Sequence, residues 1–227
     1  MNKKNIAKVV FVVLVAAWVG KLTYSKSSNR ALANAFPAKL LASPGACTTP
    51  EWPPEARRYE VEGITLLHFR IGADGQVEHA SVAGSSSWQM LDDAAMKSLV
   101  KCRFKPNLDE AEQETVFPIQ FVWTLSGPSS ARPQLIADSC AHSTQFSGFE
   151  PLNRAPTGKD GVLLRFLLNG QGEPFGVKPE AASADAAAAE AASAFIQTCR
   201  FAIDPALEGE QTDTLFGRVV VASRAGK

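Results

Sequence analysis

Four cysteines, three histidines, one adjacent carboxylate pair and one glycine cluster are the residues of this chain whose types and spacing could do chemistry. Cys47, Cys102, Cys140 and Cys199 show no C-x-x-C spacing, the arrangement on which zinc and thioredoxin-type redox sites rely. His142 lies two residues from Cys140, and no other histidine is near a cysteine in sequence, so a thiolate activated by a neighbouring base is not expected. Asp92 and Asp93 begin a helical pattern; adjacent helical residues do not share a face, so they read as charges favourable to the helix dipole rather than as an acid/base pair. Gly170-Gln171-Gly172 with Gly176 imitates a phosphate-binding loop, but no helix starts there, and a hairpin turn is expected. His68 and His79 fall on strand segments and are expected on a solvent side. With no G-x-S-x-G or H-E-x-x-H motif either, the chain is expected to hold no catalytic residue, metal or cofactor, and not to be an enzyme.

The whole composition narrows the classes of partner. Lys+Arg and Asp+Glu both number 23 in 227 residues, so no net field draws phosphate backbones, and no basic stripe with interleaved aromatics occurs. Nucleic acid is not an expected partner, and neither is a small-molecule substrate. Hydrophobic residues make up 45%, enough for packed cores and too few for a polytopic membrane protein.

Residues 1–24 begin with Lys3, Lys4 and Lys8, run apolar from Val9 to Gly20, and end at Lys21. The run is shorter than the ~20 residues of a bilayer span, but snorkelling of Lys8 and Lys21 extends it from Ile6 to Leu22. The first small-x-small sites, Ala31-Leu32-Ala33 and Ala33-Asn34-Ala35, lie far beyond its end, where signal peptidase sites are not normally found. An uncleaved signal-anchor helix is therefore expected, with secretion after cleavage as the alternative. Either places the remainder outside the cytoplasm, where paired cysteines oxidise. Residues 25–46 read as a tether that reaches at most about 70–80 Å.

An internal repeat organises the remainder. Phe69, Gly75, Ala94, Ala95, Cys102, Arg103 and Phe104 recur as Phe166, Gly172, Ala191, Ala192, Cys199, Arg200 and Phe201, at a constant offset of 97. In the first unit Thr65, Leu67, Phe69 and Ile71 alternate as in a half-buried strand. A Gly72–Gly75 turn leads to a returning strand over residues 76–82. Leu91, Ala95, Leu99 and Cys102 share a helix face, Pro106 is the stop, and residues 115–125 read as a last strand. The second unit repeats this with a strand over 162–168, a turn over 169–172, a helix over 181–197 and a strand over 215–222. Residues 127–133, rich in Gly, Pro and Ser, divide the two.

These motifs carry a family resemblance. Pro50-Glu51-Trp52-Pro53-Pro54-Glu55-Ala56, Glu62-Gly63, Asp74-Gly75, Gly84-Ser85-Ser86-Ser87, Leu91-Asp92-Asp93-Ala94-Ala95 and Cys102-Arg103-Phe104-Lys105-Pro106 together resemble the C-terminal domain of TonB-family proteins over about residues 47–127. The resemblance implies a periplasmic protein-binding domain held in the inner membrane by one helix. Family members take energy from a proton-driven inner-membrane motor and pair an edge strand with an extended segment of an outer-membrane transporter, a form of β-augmentation. It points to the last strand, Phe117, Pro118, Ile119, Gln120, Phe121, Val122 and Trp123, and to Trp52 in the lead-in, as the partner-binding residues. Apolar members of that strand have core packing as their other reading. Three departures set this chain apart: no histidine in the anchor, a short tether, and a second, divergent unit. They raise a membrane-proximal adaptor or scaffold as the alternative to energy transduction.

The expected architecture is α+β: two tandem small ββαβ domains, 47–127 and 140–227, joined by a linker over 128–139 and placed behind the N-terminal transmembrane helix. Cys102 and Cys199 share one repeat position, and Cys47 and Cys140 each open a unit. Of three possible connectivities, Cys47–Cys102 with Cys140–Cys199 is the economical one, four free thiols being the other reading.

Overall fold

Short β-branched and aromatic runs separated by turn residues give this chain its sheets, and two 11-residue amphipathic segments give it its main helices. A computed structural model describes residues 7–11, 32–127, 130–180, 185–202, 209 and 211–222. In chain order these form β1 (Ala7–Phe11), a 3-10 turn (Ala38–Leu40), α1 (Pro54–Arg58), β2 (Gly63–Ile71), β3 (Val77–Gly84), α2 (Gln89–Leu99), α3 (Glu110–Glu114) and β4 (Phe117–Leu125). They continue as β5 (Gln134–Leu135), β6 (Phe146–Pro151), β7 (Gly161–Leu168), β8 (Pro174–Pro179), α4 (Ala186–Ile196), β9 (Phe201–Ala202) and β10 (Thr214–Val221). The class is mixed α+β. One four-stranded sheet has the order β1-β4-β2-β3, a second the order β6-β10-β7-β8, and β5 pairs with β9.

In the first sheet, Leu67, Phe69 and Ile71 of β2 alternate inward, and Leu91, Ala95 and Leu99 of α2 close over them. The helix ends at Leu99, well before Pro106, because Val100 already satisfies its last carbonyls in a tightened turn and Cys102 is then pulled into the core. Among the elements that escaped the sequence reading are α3 and β6. Helix α3 is announced by a capping box, Asp109 accepting from the Glu112 amide while Glu112 reaches back, which a closer look at Asp-x-x-Glu would have found. Strand β6 was hidden because Gly148 and Pro151 interrupt its pattern.

The recurring turn glycines have a shared physical cause. Gly75 and Gly172 have φ of +79° and +73°, and a Cβ on either would run into the carbonyl oxygen of Phe104 or Phe201. The same carbonyl side is tied down by Phe104 N–H donating to Gly75 at 2.8 Å and Phe201 N–H to Gly172 at 2.9 Å. The Asp-Gly turn and the Cys-Arg-Phe segment are thus two halves of one contact. The cysteines form the bonds Cys47–Cys102 and Cys140–Cys199, each tying a lead-in to the end of a helix.

Residues 32–46, read as part of a tether, lie on the first sheet's core. Ala33, Phe36, Leu40 and Leu41 contribute apolar surface, and Ala33 N–H, Ala42 N–H and the Leu40 carbonyl bond to Val116, Arg103 and Lys105. Their apolar residues have no helical or strand period because they follow the surface of another element. The expected anchor over residues 1–24 is described only at 7–11, where the chain is a strand paired with β4 and not a helix; the remainder lies outside the described residues. Val9, Val10 and Phe11 suit an open sheet edge as well as they suit a bilayer. Among the described residues no helix is long and apolar enough to cross a membrane. Among the described residues, the core residues named for either sheet lie between Ala33 and Val219, and both disulfides fall in the same range.

Asp92 has a larger part than a helix dipole would give it. Buried at the start of α2, it accepts from the Thr65 hydroxyl at 2.8 Å, the Ser86 N–H at 2.9 Å and the Ser85 hydroxyl, and Thr65 in turn accepts from Trp123 Nε1 at 3.2 Å. The corresponding second-unit positions are Val162 and Ala189, an apolar pair. Asp92→Ala is expected to cost about 2–3 kcal/mol in urea unfolding because it strands several buried donors, whereas Thr65→Val combined with Asp92→Ala costs less than the sum of the two single changes. Additive costs would show that the network is solvated.

Candidate functional site

A protein that works by strand addition needs a sheet edge that is straight, unblocked and long. The outer edge β3 fails on the first count: its pairing with β2 shifts register twice and His79 sits at φ +50°. Outer strand β8 begins and ends in proline, carries Gly176 at φ +59° and also shifts register. Edge β10 is covered by β6. Strand β4 pairs with β2 from Phe117 to Trp123 without a shift, and on its other side it accepts β1 antiparallel, Ala7 opposite Leu125 through Phe11 opposite Phe121, again without a shift. Its main chain is therefore a regular ladder on both sides.

The side chains expected to bind partners divide by strand parity. Phe117, Ile119, Phe121 and Trp123 point into the core, and Trp52 is buried edge-on against Trp123 at 5.5 Å. None of the five can present its ring or branch to a partner without unfolding the unit. Pro118, Gln120 and Val122 are half-buried on the outer side, beside Leu66 and the exposed Ile64 of β2. His68 lies on that side too, opposite Pro118. Burial holds its imidazole below the ordinary histidine range, so it adds no charge there at neutral pH. What β4 offers is main-chain hydrogen bonding, with a small neutral surface next to it.

The second sheet's equivalent outer side is buried rather than open. Leu163, Arg165, Phe216 and Arg218 are all buried, and Leu163 and Phe216 join the first unit's core. Phe216 meets Trp88 edge-on at 4.9 Å. Arg165 lies between Glu55 of α1, at 3.1 Å, and Glu180, with its guanidinium over the Tyr59 ring at 5.9 Å. Glu180 also accepts from the Gln89 N–H at 3.2 Å, and so caps α2, which has no side-chain cap of its own. Arg132 pairs with Glu60 at 2.7 Å farther along. The unbroken run Gly161-Val-Leu-Leu-Arg-Phe-Leu-Leu168 was the available sequence signal, since a strand buried on both sides loses its alternation. At the Leu125 end of β4 this seam opens into a cavity of about 400 Å³ lined by Trp88, Phe216, Glu60, Glu62, Arg132 and Arg154.

Seam stability is expected to depend on acid. Burial pushes the Glu55 carboxyl up, but hydrogen bonds and charge from Arg165 and Lys178 outweigh it, leaving Glu55 below its ordinary value. A depressed carboxylate contributes stability that is present above its unfolded pKa and lost as pH falls through its folded one. Trp88 fluorescence followed while pH is lowered through the carboxylate range should report the seam loosening, and Glu55→Gln should flatten that dependence.

Among the described residues no group of three or more His, Cys, Asp or Glu could hold a metal ion. The chain has no match among the curated proteins or the solved structures compared with it. Residues 48–125 do match a family model, described as Gram-negative bacterial TonB protein C-terminal, which supports a TonB-family C-terminal domain over that segment.

Proposed function

We propose that this is a periplasmic protein, held at the inner membrane by its N-terminal segment, that binds an extended segment of a protein partner by strand addition to β4. The observation that carries the reading is the unshifted β4 ladder, whose outer side pairs here with the chain's own β1 and in this reading passes to a partner when the N-terminal segment lies in the membrane. Affinity then comes from main-chain bonds, and Gln120, Val122 and Pro118 with the adjoining seam cavity supply selection. In this reading residues 140–227 are a divergent copy of the first unit that serves as its support.

The packed state of residues 32–46 bears on where the protein acts. Only residues 25–31 remain between the apolar segment and the folded body, and seven residues reach at most about 25 Å. A body tied that closely works next to the membrane that holds it, which favours an adaptor or scaffold over a transducer that pulls on outer-membrane transporters through a motor complex.

A photoreactive residue at Gln120 or Val122 of the full chain, irradiated in its native envelope, tests both points. Crosslinks to an extended segment of one partner, absent when the same residue stands at Ser81, support strand addition on β4. Equal labelling at Ser81 overturns it. Loss of transporter-dependent uptake on deletion of the gene, with crosslinks to an outer-membrane transporter, would replace the adaptor role with transduction.

A further inference from the structure

Residues 7–11 have two claims on them that cannot both be met. As β1 they lie antiparallel along β4, Ala7 opposite Leu125 through Phe11 opposite Phe121, with no shift of register. In the sequence they lead into the apolar run Val9–Gly20, and the membrane segment read from it, Ile6 to Leu22, contains all five of them. Within that segment their amides and carbonyls bond inside a helix, since hydrocarbon offers a backbone no other partner. A single pass that puts the folded body on one side of a bilayer puts the residues before the run on the other, about 30 Å away. Membrane insertion therefore takes β1 off β4 completely.

The chain has the length for this exchange. Residues 12–31 separate β1 from Leu32, where the packed segment begins, and such a stretch extends to roughly 70 Å at most. Strand β6, which covers β10, is held far more tightly. It starts soon after Cys140, which is bonded to Cys199, and its Phe146 and Phe149 are buried in the second core. Of the two covering strands, only β1 also belongs to a membrane segment.

Taking the strand-addition reading as given, we infer that β1 is an internal competitor for the partner's place: outside the membrane the chain is closed on itself, and insertion of the N-terminal segment opens β4. While closed, the edge is protected from pairing with other chains, the usual hazard of an uncovered strand. A strand held by so short a chain competes at an effective concentration on the order of millimolar, so a free partner segment of equal affinity does not displace it at micromolar levels. The binding form is the inserted one.

Val10 and Val122 stand opposite each other in this register, which gives a test on the full chain without a known partner. With Val10→Cys and Val122→Cys together, mild oxidation should join the new pair within one chain in buffer free of lipid and detergent. All four native cysteines are already bonded, so no other thiol competes. After incorporation into nanodiscs of phosphatidylethanolamine and phosphatidylglycerol, the yield of that bond should fall at least ~10-fold, and the amides of residues 121–125 that do not bond to β2 should exchange at least ~10-fold faster. Placing the second cysteine at Ser81 instead of Val122 should abolish the bond in both. Equal yields in buffer and in nanodiscs, no bond in either, an equal bond at Ser81, a bond between two chains in place of one within a chain, or a chain that stays out of the nanodiscs overturns the inference. Strand addition to β4 would survive each of these if crosslinks to a partner form at Gln120 or Val122. The expected disulfide with no partner crosslinks defeats the proposed function and leaves the closure intact.

Discussion

Arg165→Ala is expected to destabilise the chain by about 3–5 kcal/mol and to split its unfolding into two steps, the cost of leaving a buried carboxylate without its counter-charge. Glu180 is the residue left behind: its side chain is 3% exposed, and with Arg165 gone the Gln89 N–H is its remaining described side-chain partner. Glu55 loses the same partner but is more exposed and keeps Lys178 at 3.1 Å, so it contributes less. Replacing both charges, as Arg165→Met with Glu180→Gln, should cost less than the single change, since no uncompensated charge then remains. Urea unfolding followed by Trp88 fluorescence and by far-UV circular dichroism separates the outcomes. A single-variant cost under about 1 kcal/mol would mean that water reaches Glu180 and that the units part in solution.

Removing either disulfide is the second large effect. The bonds close loops with sequence separations of 55 and 59, and the chain-entropy estimate for loops of that size is about 4 kcal/mol each. Cys47→Ala with Cys102→Ala should therefore lower the melting temperature by roughly 8–16 °C for a chain of this size. Cys140→Ala with Cys199→Ala should do the same to the second unit. Cys102 and Cys199 are fully buried, so reductant should act on the unfolded chain far faster than on the native one. A loss below 1 kcal/mol would show that the lead-ins stay in place without their bonds, held by contacts such as the Ser98 hydroxyl to the Thr48 carbonyl at 2.6 Å.

Much of the local structure was legible because short-range rules fix it. Alternation over Thr65–Ile71, the helix face Leu91, Ala95 and Leu99, and the glycine turns each express a preference satisfied within a few residues, and the structure places β2, α2 and the hairpins there. Strand β6 and the lie of residues 32–46 were not legible, because each takes its conformation from a surface made by distant residues. Phe36 shows no period of its own, and its place is given by Phe69 and Phe104. For the candidate site, residues 117–123 could be named from the family motifs. That these residues present their main chain while Phe117, Ile119, Phe121 and Trp123 turn inward depends on which side of the sheet α2 covers.

The sequence by itself determined the materials at hand: cysteines without metal spacing, equal numbers of acidic and basic residues, and a repeated strand, turn and helix pattern with TonB-family motifs in its first part. Only the tertiary structure decided what lies along each of these strands. Hydrogen-bonding groups of β4 and β10 are alike along the chain, and what covers them differs because β6 folds back on β10 while β1 pairs along β4. The tertiary structure likewise turned Arg165 and Glu180 from surface charges into a buried seam, because pairing of distant segments, unlike local preference, depends on what the rest of the chain brings within reach.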